Sequence, residues 1–129
     1  MLSIIQEAAI MALNRYVTEM GMGADLYGRD YTKAAKRAVS DAIRHSSLNF
    51  FRALGKSPDD MKITVRIGVA EPNEVDTQSV AAELPYGSVT VVCVVGGLDV
   101  PADRGHTKTS PMGDAIVMAN AAVIVCFEE

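Results

Sequence analysis

The segment Met61–Ala70, MKITVRIGVA, does most to limit what this chain can fold into. Ile63, Val65, Ile67 and Val69 share one parity, while Lys62, Thr64, Arg66 and Gly68 occupy the other. Side chains of a strand point alternately to its two faces, so this is a half-exposed strand that needs sheet neighbours and one covering layer. Two further runs, SVTVVCVV over 88–95 and AAVIVCFE over 121–128, are apolar on both parities. That pattern belongs to strands covered on both faces, and it predicts SVTVVCVV as a central strand. Arg15–Met20, RYVTEM, reads as a fourth strand through its Tyr, Val and Thr.

Helical spacing fills the intervals. Leu2, Ile5, Ala9, Ala12 and Leu13 predict a helix over 2–13, with residues 1–14 forming an N-terminal helical extension. A second helix begins at Asp30 or Thr32, either of which can accept a hydrogen bond from an orphan backbone N–H. Ala34, Ala35, Ala38, Val39, Ala42 and Ile43 give it a narrow apolar face of small side chains. Asp76 caps a short helix, TQSVAAEL, stopped by Pro85, and Ser110–Pro111 opens another that ends at Asn120. The order α–β–α–β–α–β–α–β predicts an α/β fold with a single mixed sheet of about four strands and helices packed on it. A chain of 129 residues without repeat or linker is one domain, 1–129.

Composition removes several function classes. A net charge of −4 and a pI near 5.1 argue against non-specific nucleic-acid binding. No stretch reaches the roughly 20 apolar residues of a membrane span, and the N-terminus lacks the basic start and cleavage pattern of a secretion signal. The expected location is cytoplasmic, where Cys93 and Cys126 would stay reduced as small hydrophobes, even on neighbouring strands. The two histidines are far apart and no C-x-x-C or H-x-x-x-H occurs, so neither a metal nor a cofactor is expected. His45 reads as a helix-end residue facing the negative end of the dipole.

Two stretches concentrate chemistry-bearing residues. GMGADLYG, from Gly21 to Gly28, resembles a dinucleotide fingerprint only superficially. Its last two glycines are separated by four residues instead of two, and no Gly-Lys-Ser/Thr closes it as a phosphate loop. What remains is a backbone that Gly21 and Gly23 leave free for close approach, ahead of a helix N-terminus that favours an anion. Arg29 and Lys33 supply positive charge there, Asp25 and Asp30 negative charge. The competing reading is a turn in which Asp30 caps and Asp25 pairs with Arg29. The second stretch is the polar loop from Gly96 to Asp114, with Gly96, Gly97, Asp99, Arg104 and His106, whose imidazole titrates near neutrality. Its competing reading is a solvated loop.

The segment EMGMGADLYGRDYTKAAKRAVSDAIRHSSL, together with GGLD and GDAIVMANAAVIV, resembles a small uncharacterised family of bacterial proteins known by a locus-tag name. The likeness runs from about Arg15 to the C-terminus and implies no activity. GRDYTKAAKRAV is more distantly similar to the Asn-Asp-Phe-Thr-Arg stretch of cyanuric acid amidohydrolases and barbiturases. Those enzymes repeat one α/β unit three times around serine–lysine pairs. The unit has the shape of trimeric chorismate mutase and imine deaminase subunits, so the resemblance implies such a subunit and a homotrimer with sites between copies. In ungapped register the lysine falls on Gly21 and the serine on Val95, before Gly96 and Gly97. Both members of the dyad are missing, and the resemblance does not carry ring-opening amide hydrolysis.

The combined expectation is a homo-oligomer, a trimer favoured, in which loops 21–33 and 96–114 form a pocket for a small polar or anionic molecule. In it Gly21, Gly23, Arg29, Lys33, Gly96, Gly97 and Arg104 bind, and Asp25, Asp30 and His106 move protons. A non-catalytic regulatory module and a purely structural oligomer are the alternatives.

Overall fold

The computed structural model describes residues 13–45, 53–101 and 115–129. Over these the chain runs β1 (Leu13–Asp25), α1 (Tyr31–Arg44), β2 (Lys62–Val69), α2 (Thr77–Ala81), β3 (Ser88–Val95), β4 (Leu98–Pro101) and β5 (Ala115–Glu128). Single 3-10 turns precede β2 at Pro58–Asp60 and α2 at Pro72–Glu74. The fold is mixed α/β: one open sheet of five strands carries both helices. The strand order is β1-β5-β2-β3, with β4 also on β5. Only the β2–β3 pair is parallel, and α2 lies in the crossover between them. β5 is long enough to pair with β1 along one side and with β2 and then β4 along the other.

The alternation of β2 places Ile63, Val65, Ile67 and Val69 in the core, as its parity requires. They meet Val117, Ala119, Ala121, Val123, Val125 and Phe127 of β5 under the apolar face of α1. That face is nearly all alanine, and opposite it β1 carries two glycines. A Cβ on Gly21 would collide with the Ala42 nitrogen and lie 2.6 Å from the Ala38 oxygen; one on Gly23 would collide with the Ala38 nitrogen and lie 2.6 Å from Arg37 C. Helix and strand therefore pack backbone to backbone. Asp41 adds a polar pin: its Oδ2 accepts from the Met22 N–H at 3.0 Å, and this bond holds the Asp41 carboxyl below its ordinary pKa.

Several expectations are corrected. Residues 21–25 are the end of β1 rather than a loop, because β5 pairs with them through Asp25↔Val117. Residues 115–120, expected to be helical, begin β5; alternation of Val117, Ala119 and Ala121 into the core outweighs the helix signal of Ser110–Pro111. SVTVVCVV is the end strand of the sheet, not a central one. Its Val89, Val91 and Cys93 pack on the core, while Val92 and Val94 are exposed. Cys93 and Cys126 lie on β3 and β5, which β2 separates; both thiols are free. Leu13, placed at the end of a helix by its spacing, opens β1, and residues 2–12 lie outside the described residues.

Gly21→Ala and Gly23→Ala should each destabilise the protein by roughly 1–3 kcal/mol, the usual cost of overpacking a tight contact. Urea unfolding with an unchanged m-value checks this, and Met22→Ala on the opposite, exposed side is the comparison.

Candidate functional site

Val117 of β5 stands between Asp25 of β1 and Asp99 of β4, since both are its register partners. At ordinary strand spacing this sets the two carboxylate-bearing residues about 10 Å apart on the helix-covered face. The first turn of α1 rests beside them, and its free N–H groups favour negative charge.

Asp25 is 3 % exposed and is a buried charged residue. Its Oδ2 accepts from the Asp30 N–H at 2.9 Å, and Oδ1 faces Arg37 NH1 at 3.7 Å and Lys33 Nζ at 4.0 Å. Arg37 NH1 also donates to the Ala24 carbonyl at 2.6 Å. Asp30 caps α1, its Oδ1 accepting from the Lys33 N–H at 3.0 Å. Thr32 Oγ1 accepts from the Asp76 N–H at 2.9 Å, tying the start of α1 to that of α2, where Asp76 in turn caps through the Ser79 N–H at 3.2 Å. The proposed pairing of Asp25 with Arg29 is replaced by pairing with Arg37 and Lys33.

Arg29 points elsewhere. It adopts φ 51°, a left-handed conformation costly for a residue with a long side chain. Its guanidinium carbon lies 5.8 Å from the centroid of the Tyr31 ring. Tyr31, the first residue of α1, is buried and donates its hydroxyl to Asp99 Oδ2. Burial, then the hydrogen bond to Asp99, pushes the Tyr31 phenol above its ordinary pKa, with Arg29 opposing. Two atoms of this corner are buried without a hydrogen-bond partner among the described residues: Arg29 Nε and Asp99 Oδ1. Unsatisfied buried polar atoms are uncommon and costly.

Gly96 and Gly97 sit where the chain crosses the end of β2 on its way from β3 to β4. Gly97 has φ +63°, and a Cβ there would collide with the Met118 carbonyl and lie 2.9 Å from that of Gly68. Gly96 N–H donates to the Val69 carbonyl at 2.9 Å, and Gly97 N–H to Asn120 Oδ1 at 3.1 Å. This crossing delivers Asp99 to Tyr31. Arg104 and His106 lie outside the described residues. His45 is the C-cap of α1, its Nε2 3.5 Å from Asp41 Oδ1.

Three cavities among the described residues lie away from the corner, one of about 340 Å³ beside Lys56, Asp59, Asp60 and Lys62. An open cleft of about 480 Å³ follows the outer side of α1, among Asp30, Lys33, Lys36, Arg37, Ser40 and Ser79. Its cations are already matched: Lys33 and Arg37 with Asp25, Lys36 with Glu83 at 3.5 Å. A third cavity of about 250 Å³ beside Ile43, Ile63, Leu84 and Val125 is walled almost entirely by apolar groups and offers little to a polar ligand. Among the described residues, no group of three His, Cys, Asp or Glu side chains is placed to hold a metal ion, and no helix is long and apolar enough to cross a membrane.

Sequence reasoning did not single out Tyr31. Its spacing from Ala34, Ala35, Ala38 and Ala42 put it on the buried face, and a buried phenol needs a polar partner. Asp25→Ala should cost roughly 1–3 kcal/mol by orphaning the Asp30 N–H and two cations, and Asp30→Ala about 1 kcal/mol as a lost cap. Urea midpoints check both, Asp25→Asn recovering part of the loss.

Comparison with known proteins places the chain in a family without assigned activity. Residues 15–125 match the model of the conserved hypothetical protein family Lin0512_fam, and the chain belongs to that family. The structure is similar to the crystal structure of an FtsZ-like protein of unknown function from Nostoc punctiforme PCC 73102. That likeness has a TM-score of 0.78 at 37 % identity and covers 92 % of this chain and 98 % of the other. No curated protein matches.

Proposed function

We propose that this member of the Lin0512 family is a homo-oligomeric protein, a trimer favoured, that binds a small polar or anionic molecule at the corner formed by Arg29, Tyr31 and Asp99. The observation that carries the reading is the pair of buried, unpartnered atoms among the described residues, Arg29 Nε and Asp99 Oδ1, on two residues that both meet Tyr31. A guanidinium N–H asks for an acceptor, and a carboxylate oxygen asks for a donor. One small molecule presenting a carbonyl or carboxylate oxygen next to an N–H or O–H satisfies both. The backbone strain at Arg29 supports the same reading, because such strain collects at ligand-holding positions.

Binding is favoured over catalysis by what the neighbouring acids do. Asp25 and Asp30, candidates for proton transfer, already accept backbone hydrogen bonds that build the start of α1. Tyr31 holds its proton more tightly than an ordinary phenol and serves as a donor rather than a base.

Calorimetry and thermal shift with a panel of small carboxylic acids, amides and ureides test the reading. Arg29→Gln and Asp99→Asn should each weaken a bound member roughly tenfold to a hundredfold, the value of a charge-assisted hydrogen bond. Unchanged affinity in both variants, or no binding by any member, overturns it. The Tyr31 proton gives an independent readout. Its folded pKa exceeds the unfolded value of about 10, so its contribution to stability is full below that pH and fades as pH rises beyond it. Tyr31→Phe should remove this alkaline slope and a phenol that ionises above the ordinary range in a titration of tyrosinate absorbance.

A further inference from the structure

We propose that the face of the sheet on which no described element packs is the surface where a second copy of this chain docks. The proposal rests on the oligomeric part of the reading above and is independent of the ligand.

Register fixes what the face contains. Across the strands, one row reads Met20–Ala122–Arg66–Val92 and the next Met22–Asn120–Gly68–Val94. Beyond the end of β2, Leu98 and Val100 stand opposite Met118 and Ile116. Met20 is 67 % exposed, Leu98 55 % and Met22 54 %, and Val92, Val94 and Val100 are exposed as well. Both helices pack on the other side, where the buried residues of β2 and β5 lie. The apolar residues here are the same Val, Ile, Met and Ala types that build the core.

The sequence carries the same demand. β3 and β5 are apolar on both parities, the pattern of strands buried on both faces, yet the structure buries one parity and leaves the other partly open. A face four strands wide and about ten residues long spans on the order of 600 Å² at ordinary strand spacings. That approaches the roughly 800 Å² per partner of a stable interface.

The occupant follows from the relief and charge of the face. Met20 and Met22 stand along its β1 side, while Gly68 and Ala122 leave low ground in its middle. A surface bearing both knobs and hollows can seat a rotated copy of itself, in a two-fold pair or in the head-to-tail contacts of a closed ring such as a trimer. An anionic membrane would need a compact basic cluster, and here Arg15 and Lys62 are separated by Cys126, with Arg66 farther along β2, among apolar and neutral residues in a chain of net charge −4. An arginine stem can lie along apolar surface with its head in water, so Arg66 does not oppose stacking.

Sedimentation velocity from low to high micromolar concentration, with hydrogen-peroxide footprinting of Met20 and Met22 by mass spectrometry, tests the proposal on the wild-type chain. The expected result is a mass at least twice that of the monomer, with both methionines oxidising several-fold more slowly in the assembled than in the dilute state. Met22→Thr with Val92→Thr, chosen because threonine suits a strand, should shift the equilibrium to monomer while melting at the temperature of the dilute, monomeric wild type. An assembly whose methionines oxidise at the monomer's rate, or that survives the folded double variant, overturns the surface assignment while sparing the oligomeric reading. A monomer at every concentration, including one seated on an unrelated protein through this face, overturns both.

Discussion

The backbone-to-backbone seam between α1 and β1 is the contact on which the rest of the structure depends. Two glycines face an alanine stripe, so the helix axis lies closer to the strand than larger side chains would permit. Such a seam gains little from side-chain volume and much from close dispersion contact along both chains. Its closeness also sets the register of the helix. Ala38 and Ala42 must lie over Gly23 and Gly21, which brings Asp41 to the Met22 N–H and the Tyr31 end over Asp25 and Asp99. A helix set farther out would leave the corner without its lid.

Much of this was legible in the sequence, for physical reasons that differ by element. β2 was readable because one parity is apolar and the other is not, and α1 because Asp30 caps a run whose buried positions repeat at helical spacing. β3 and β5 were readable as strands but not in their places: apolar residues on both parities state that two faces want cover, not which partner supplies it. The end of β1 was obscured by its glycines, which suggest a turn locally and serve packing at long range. Residues 115–120 misled because small apolar residues satisfy a helix and a strand alike until the pairing of Val117 with Asp25 and Asp99 is known.

The candidate site shows the same division. Arg29, Asp30 and Lys33 stood out as a charge cluster, and the structure divides them: Asp30 caps, Lys33 balances Asp25, and Arg29 turns toward Tyr31. Sequence could not rank them, because ranking depends on burial and on strands far apart in the chain. Asp99 reaches Tyr31 across 68 residues, through a β3–β4 crossing that a left-handed Gly97 makes passable. The glycines of both stretches therefore act one step away from the polar groups, by placing the backbones on which those groups stand.

β4 joins the two surfaces of the molecule. In a strand, neighbouring side chains point to opposite faces, so Leu98 and Val100 belong to the open face while Asp99 between them belongs to the corner. Among the described residues this strand of four pairs with β5 alone and is a small element. Whatever presses on Leu98 and Val100 restrains the backbone that aims Asp99, and whatever holds Asp99 restrains the apolar pair behind it. Covering the open face would therefore stiffen the corner without touching it. In an assembly of the proposed kind Asp99 would already be set beside Tyr31, and the proposed ligand would have less ordering left to do.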